Sequence, residues 1–233
     1  MVKFYYHGVD SSTKNIKLQK PLEFSPVVPI VNIVQVAGRN GTLHIETSAY
    51  ENREATAECF VLKSNAENEF TAINEFLFSN KGYQRLQTDE DSAHFWLAAI
   101  KNAAEINVKM QVLAPFEIKF DCKPQRFLTS GETVVTLTSA GSIINPTAFE
   151  SLPIIKITGD GRINLNVGGQ VVILEIDDDE ITLDSETQNA YKGTVNLNNK
   201  VSGAYPKLAS GTNAISWEGD VTKIEITPRW WTL

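Results

Sequence analysis

Apolar and polar residues along the C-terminal half of the chain alternate with the two-residue period of half-buried strands. Arg162-Ile-Asn-Leu-Asn-Val167 alternates, Gly168-Gly169 supplies a turn able to take positive φ, and Val171-Val-Ile-Leu-Glu-Ile176 returns. The pattern predicts a β-hairpin. Asp177-Asp-Asp-Glu180 breaks the run before Ile181-Thr-Leu183, and further strands are expected at Thr194–Leu197, Ala214–Trp217 and Val221–Thr227. Gly131 to Pro153 has the composition of a linker, yet Thr133-Val-Val-Thr-Leu-Thr138 can form an edge strand. Short strands with turn signals about every ten residues suggest a sandwich. The last seventeen residues alternate and end on Arg229-Trp-Trp-Thr-Leu233, and three of the four tryptophans lie among them. A frayed end of this kind would expose costly apolar surface, so it is expected to dock as a strand.

The first half mixes periods. Val27 to Val36 is β-branched and interrupted by Pro29, and Val36-Ala-Gly-Arg-Asn-Gly-Thr-Leu-His-Ile45 places an Asn40-Gly41 turn between apolar positions, which predicts a second hairpin. Between Asn65 and Asn80, Phe70, Ile73 and Leu77 recur at helical spacing, Glu67 and Glu69 lie near the N-terminal end, and Lys81-Gly82 closes the segment, so one amphipathic helix is expected among the strands. His94 to Ala104 is read as a strand. Ile106 to Phe120 alternates loosely across Pro115, and Asp121-Cys-Lys-Pro-Gln-Arg126 ends that run; a domain boundary is placed there, between residues 1–125 and 126–233. No internal repeat or low-complexity tract is visible.

Length and composition narrow the picture. With 233 residues, 42% of them hydrophobic, the chain can build one large all-β domain or two ordinary ones. A net charge of -7 argues against a surface made to grip nucleic acid or an anionic membrane. Met1-Val-Lys-Phe-Tyr-Tyr-His-Gly8 lacks the apolar core of an export signal, and Phe95–Ile100 is far shorter than the roughly twenty residues a membrane helix needs, so no membrane insertion is expected. Cys59 and Cys122 are too few and too distant for a disulfide framework or a metal knuckle and read as buried reduced thiols.

The search for chemistry nominates no catalytic, cofactor-binding or metal-binding residue. His7, His44 and His94 are scattered without zinc-site spacing, and there is no GxSxG elbow, P-loop or GxGxxG; Gly159-Asp-Gly161 fits a tight turn. The acidic run Asp177–Glu180, with Asp184 and Glu186 nearby, lacks the alternation of a calcium loop and reads as solvated charge rather than as a glycosidase carboxylate pair. Trp217, Trp230 and Trp231 suggest two alternatives, a sugar-stacking platform or a core and interface cluster. Asn40-Gly41-Thr42 is formally a glycosylation sequon, without meaning in the absence of secretion.

Taken together the residues give a two-domain, β-rich, acidic, non-enzymatic protein. A set of short segments goes further: Gly38-Arg-Asn-Gly-Thr-Leu43, the block Ile73 to Gln87 with Phe76-Leu77 and Gly82-Tyr-Gln-Arg-Leu86, and Phe120-Asp-Cys-Lys-Pro124. Downstream come Asn145-Pro-Thr-Ala148, Ser151-Leu-Pro-Ile-Ile-Lys-Ile-Thr-Gly159, Ile181-Thr-Leu-Asp-Ser-Glu186, Asn189-Ala-Tyr191, Gly211-Thr-Asn-Ala-Ile-Ser-Trp217 and Pro228-Arg-Trp-Trp231. In this order, over nearly the whole chain, they resemble the distal tail (Dit) proteins of siphophages and of prophages in Gram-positive bacteria, which are hub components of the tail tip or baseplate.

The resemblance implies a mainly-β fold with one α-helix: a ring-forming N-terminal domain akin to tail-tube proteins and a C-terminal galectin-like β-sandwich. It implies a homo-hexameric ring at the virion tail tip, made in the bacterial cytoplasm. The ring would join the tail tube protein to the tail-associated lysin or tip protein, anchor receptor-binding proteins, and leave a channel through which DNA passes without specific binding. The hairpin Val36–Ile45 is a candidate arm to the neighbouring subunit, with an ordinary hairpin inside one subunit as the other reading. Relatives that bind the host directly carry inserted carbohydrate-binding modules, for which 233 residues leave little room. The alternative function is host-surface carbohydrate binding through the galectin-like domain itself. Galectins use a His, Asn, Arg and Trp constellation, and no histidine falls in the C-terminal half.

Overall fold

The computed structural model describes residues 2–62, 66–102 and 113–233. The chain divides into two compact units, one reaching to Arg126 and the other Phe127–Thr232. The fold is mainly β, with one α-helix among the described residues.

In the first unit a sheet runs in the order Val9–Asp10, Phe4–Tyr6, Gln84–Thr88, His94–Ile100, Leu113–Leu128, Arg53–Leu62, Lys17–Leu18, and Glu23–Phe24 also pairs with Arg53–Leu62. Alternation decides its inner face. Ala55, Ala57 and Cys59 are fully buried and lie opposite Phe120, Ile118 and Phe116, so small side chains on one strand make room for large ones on the next. Phe4 and Tyr6 meet the Phe120 ring at 5.6 and 5.4 Å between centroids, edge-on or tilted, as aromatic quadrupoles prefer.

The helix spans Ala66–Phe78 and buries Phe70, Ile73, Phe76 and Leu77 in this core, which is the three- and four-residue period read from the sequence. Its last turn leaves carbonyls without intrahelical partners. His7 Nε2–H donates to Phe76 O at 3.0 Å and Ser79 Oγ donates to the same oxygen at 3.1 Å, which satisfies one of them.

Two expectations shift here. The stretch 106–112 of the predicted run Ile106–Phe120 lies outside the described residues, and the observed strand, Leu113–Leu128, continues through Asp121 instead of ending there. The alternation carries on: Cys122 points inward and is buried, while the Asp121 carboxylate reaches Asn52 and Tyr83. The strand expected over His94 to Ala104 is observed at His94–Ile100.

In the second unit two long strands, Ile154–Val167 and Gly211–Thr227, organise everything else. Their first pairing zone sets Ile155 opposite Ile226 and Ile157 opposite Ile224, and their second sets Leu165 opposite Trp217 and Val167 opposite Ile215. Val135–Leu137, Glu180–Asp184, Asn189–Lys192 and Val195–Asn196 extend the first zone; Gly141–Asn145, Gln170–Ile176 and Val201–Ser202 extend the second. Apolar residues of both zones share one core, including Ile155, Ile157, Leu165, Leu174, Ile224 and Trp230. The sheet is thus curled on itself in the manner of a sandwich, with two strands passing from one layer to the other.

The passage occurs at Gly159-Asp-Gly161, where the register shifts between Thr158 and Gly159 and again between Asp160 and Asn164. The sequence read this tripeptide as a tight turn; it is a bulge inside one strand. A Cβ on Gly159 would lie 2.2 Å from Asp220 O and one on Gly219 would lie 2.5 Å from Arg162 O, so the backbones cross at a separation only glycine allows.

Candidate assembly interface

One element of the first unit does not join its sheet. Pro29–Gln35 and Thr42–Tyr50 pair only with each other, as a two-stranded ribbon. Gly38 and Gly41 take positive φ in the connection between them, which any other residue would adopt at a cost. The sequence reading placed this hairpin at Val36–Ile45; the ribbon is longer at both ends. The β-branched run from Val27 was the available signal, and the break at Pro29 obscured it, although proline is tolerated in a strand that has a free edge.

The register sorts the side chains into two faces. Val34 stands opposite Leu43 and Asn32 opposite Ile45 on one face, while Ile33 opposite His44, Gln35 opposite Thr42 and Val31 opposite Glu46 form the other. The first is therefore largely apolar. Ile33 is 60% exposed, Ile45 46%, Leu43 43% and Val34 41%, although each is of a type that normally fills cores. These residues leave a two-stranded ribbon, itself marginal in water, with apolar surface that the single chain does not cover.

The root of the ribbon is fixed. A register shift falls between Pro29 and Val31, Ser48 adopts left-handed φ (59°), and Thr47 Oγ1 donates to Ile30 O at 2.6 Å, which together form a bulge that sets the ribbon's direction. Below it, Asn52 Nδ2 donates to Tyr83 Oη (2.6 Å) and to Asp121 Oδ2 (2.8 Å), and Tyr83 Oη donates to the same carboxylate oxygen (2.8 Å). Taking an apolar side chain fully out of water contributes roughly 1.5–3 kcal/mol. Ile33, Val34, Leu43 and Ile45 do not obtain that burial within the single chain.

The residues singled out for chemistry have structural roles. Trp230 is buried in the second core, Trp231 stacks on Phe149 at 4.4 Å and its Nε1–H donates to Glu150 O, and Trp217 is partly buried against the same core. The docking of this end depends on one close approach: a Cβ on Gly131 would meet Trp230 N at 2.3 Å, and Arg229 N–H donates to Gly131 O at 2.8 Å. In the acidic run Asp177 pairs with Lys200 (2.5 Å), Asp178 with Lys192 (2.7 Å) and Glu180 with Lys156 (2.7 Å). Asp184 is buried and accepts from Arg229 Nη1 at 2.6 Å. Burial opposes its charge, but the Arg229 hydrogen bond and cationic field outweigh that and hold the carboxyl below its ordinary pKa.

His7 caps the helix, His44 lies on the ribbon, and His94 Nδ1 meets the Asp91 carboxylate at 2.9 Å, which also pairs with Arg126. No three metal-ligating side chains converge among the described residues. Cys59 and Cys122 are free and buried, and burial pushes both thiols up to about 12. No helix among the described residues is long and apolar enough to cross a membrane.

No protein-family model matches the chain, and no curated protein does. Among solved structures, the crystal structure of the Dit protein (gp 19.1) of phage SPP1 superposes with a TM-score of 0.77 over 100% of both chains, at 12% sequence identity. The two share one fold from end to end. That protein is described as a paradigm of the hub adsorption apparatus in phages infecting Gram-positive hosts. The match covers both units and thus the whole order of elements set out above.

Proposed function

We propose that this chain is a structural, non-catalytic hub of a siphophage or prophage tail tip. Six copies form a ring that continues the tail tube, joins it to the tail-associated tip protein, and leaves a channel for DNA. The observation that carries this reading is the full-length likeness to a phage hub protein, with neither unit left over on either side. Support comes from the ribbon Pro29–Tyr50: heterologous contacts close into a ring when the rotation between neighbours is right, and an aimed apolar arm is a natural donor of such a contact. The C-terminal sandwich, galectin-like in this reading, stands outside the ring and offers docking sites to receptor-binding proteins. A net charge of -7 suits a channel through which DNA slides without sticking.

Light scattering over a concentration series, with negative-stain images of the largest species, tests it. A mass of about 155 kDa, six times the 25.8 kDa chain, in ring-shaped particles is the expected result for closed cyclic assembly. A strict monomer at every concentration, still without rings when tube and tip proteins are added, overturns the reading.

A further inference from the structure

The chain holds a single Asn-Gly dipeptide, Asn40-Gly41, and it lies in the connection that closes the ribbon between Gln35 and Thr42. The hub reading uses the apolar residues of the two strands and leaves this turn without a role. Asn40 and Gly41 are both exposed. Among the described residues neither the Asn40 side-chain amide nor the Gly41 N–H is held by a hydrogen bond. Gly41 takes a φ of 83° and has no atom within 4 Å of the position a Cβ would occupy, so nothing packs against this piece of backbone.

Those are the conditions under which an asparagine reacts with its own backbone. The Gly41 nitrogen, once it has given its proton to water or hydroxide, attacks the Asn40 side-chain carbonyl carbon; a C–N bond forms to the ring, the bond from that carbon to the side-chain nitrogen breaks, and ammonia leaves. The cyclic imide then takes up water and opens at either carbonyl, to aspartate or to isoaspartate, with no oxidant or reductant involved. A following glycine removes the Cβ that would crowd the attack, and a backbone that no neighbour holds can turn into the geometry of the ring. Elsewhere the fold resists this step. Asn145 is 2% exposed, its amide donates to Phe149 O and Leu208 O, and the next residue, Pro146, has no N–H. The Asn52 amide is held by Tyr83 and Asp121, and Asp160-Gly161, open to the same ring closure, lies inside a strand with Gly161 opposite Ile176.

We propose that Asn40 is a site of spontaneous deamidation in the unassembled chain, and that its conversion limits the time over which a free copy can join an assembly. An aspartyl carboxylate, with a pKa of about 3.9, is charged at neutral pH, and isoaspartate in addition lengthens the connection by the Cβ carbon. Both changes fall beside the end pair Gln35–Thr42, which is followed at once by Val34 opposite Leu43. Covering the apolar residues at this end of the ribbon then means drawing a charge out of water, a larger cost than the neutral amide imposes. The modification needs only the single chain; its effect on assembly rests on the hub reading.

Peptide mapping by mass spectrometry tests the assignment on full-length protein kept warm and dilute at mildly acidic, neutral and mildly alkaline pH and sampled over days. Aspartate plus isoaspartate at Asn40 is expected to form at least about tenfold faster than at any other asparagine. Its rate should rise with pH, because the attacking amide must lose its proton. Asn40→Gln, whose longer side chain closes a larger ring more slowly, should stay unmodified over the same period. Light scattering on the same samples should show the concentration needed for assembly rising about tenfold in the aged parent and in fresh Asn40→Asp, and holding at the fresh value in aged Asn40→Gln. Survival of Asn40 equal to that of the other asparagines overturns the modification, and modified chains that assemble like fresh ones overturn its consequence. If the fresh chain never assembles, the hub reading fails while the peptide map still reads Asn40 on its own.

Discussion

The ribbon Pro29–Tyr50 and the hairpin that joins Ile154–Val167 to Gln170–Ile176 start from similar material: apolar alternation, β-branched residues and a turn with two positive-φ glycines. Their fates differ. Ile163, Leu165, Val167, Val172 and Leu174 are fully buried, whereas Ile33, Val34, Leu43 and Ile45 stay 41–60% exposed. The sandwich hairpin has further strands on both sides and a facing layer, so its apolar face is satisfied within the unit. The ribbon has neither, and a two-stranded ribbon cannot bury its own face. The same pattern therefore stabilises folding in one place and is left available for association in the other.

The largest expected effect separates these roles. Ile33→Asp together with Ile45→Asp puts a charge on each face of the ribbon and should weaken self-association at least about hundredfold. Mass by light scattering would fall toward the monomer while the stability stays within about 0.5 kcal/mol of the parent's, as for other surface changes. A large drop in melting temperature would break the comparison, because it would mean that the ribbon belongs to the monomer's own stability.

The opposite pattern is expected from Leu165→Ala. Removing a fully buried side chain from the sandwich core should cost about 3 kcal/mol, or roughly 15 °C for a domain of this size. Calorimetry should show the loss in the transition of the second unit, with assembly intact at temperatures where that unit remains folded.

A smaller effect belongs to the pair Asp184 and Arg229. The folded carboxyl titrates below the ordinary aspartate value of 3.8, so its contribution to stability is present above that pH and is lost as pH falls through the folded value. Arg229→Ala should cost about 2 kcal/mol at neutral pH by leaving a buried carboxylate unpaired. Between about pH 5 and pH 2 the variant's stability should converge on the parent's, as Asp184 is protonated in both. Urea melts across that range would show the gap closing; a constant gap would assign Arg229 to packing alone.

How far the sequence was legible depended on whether a residue's fate was local. The Gly168-Gly169 hairpin, the helix around Phe70, Ile73 and Leu77, and the edge strand at Val135–Leu137 follow from short-range periodicity and turn chemistry, and all three are present. Gly159-Asp-Gly161 was misread because glycine between apolar runs signals a turn or a bulge equally well, and only the crossing of Asp220 and Val221 at Gly159 distinguishes them. The sequence offered Trp217, Trp230 and Trp231 as platform or core, and burial and stacking show the core role for Trp230 and an intramolecular stack for Trp231.

The finest test uses two matched glycines. Gly41 and Gly169 both lie in hairpin connections at positive φ, 83° and 87°, and neither has an atom within 4 Å of the position a Cβ would take. Alanine at either site should therefore meet the same backbone cost, about 1–2 kcal/mol, with no steric term to confuse it. In Gly169→Ala the strain falls on strands that hold the sandwich core, so it should lower the melting temperature of the second unit and leave the assembled mass alone. In Gly41→Ala it falls on a ribbon whose residues are exposed in the single chain, so the melt should hardly move while the concentration needed for assembly rises about fivefold to thirtyfold. If both substitutions instead lowered the same melting transition equally, the ribbon would be coupled to the fold of the single chain, and exposure of Ile33 and Ile45 would have to be explained without a partner.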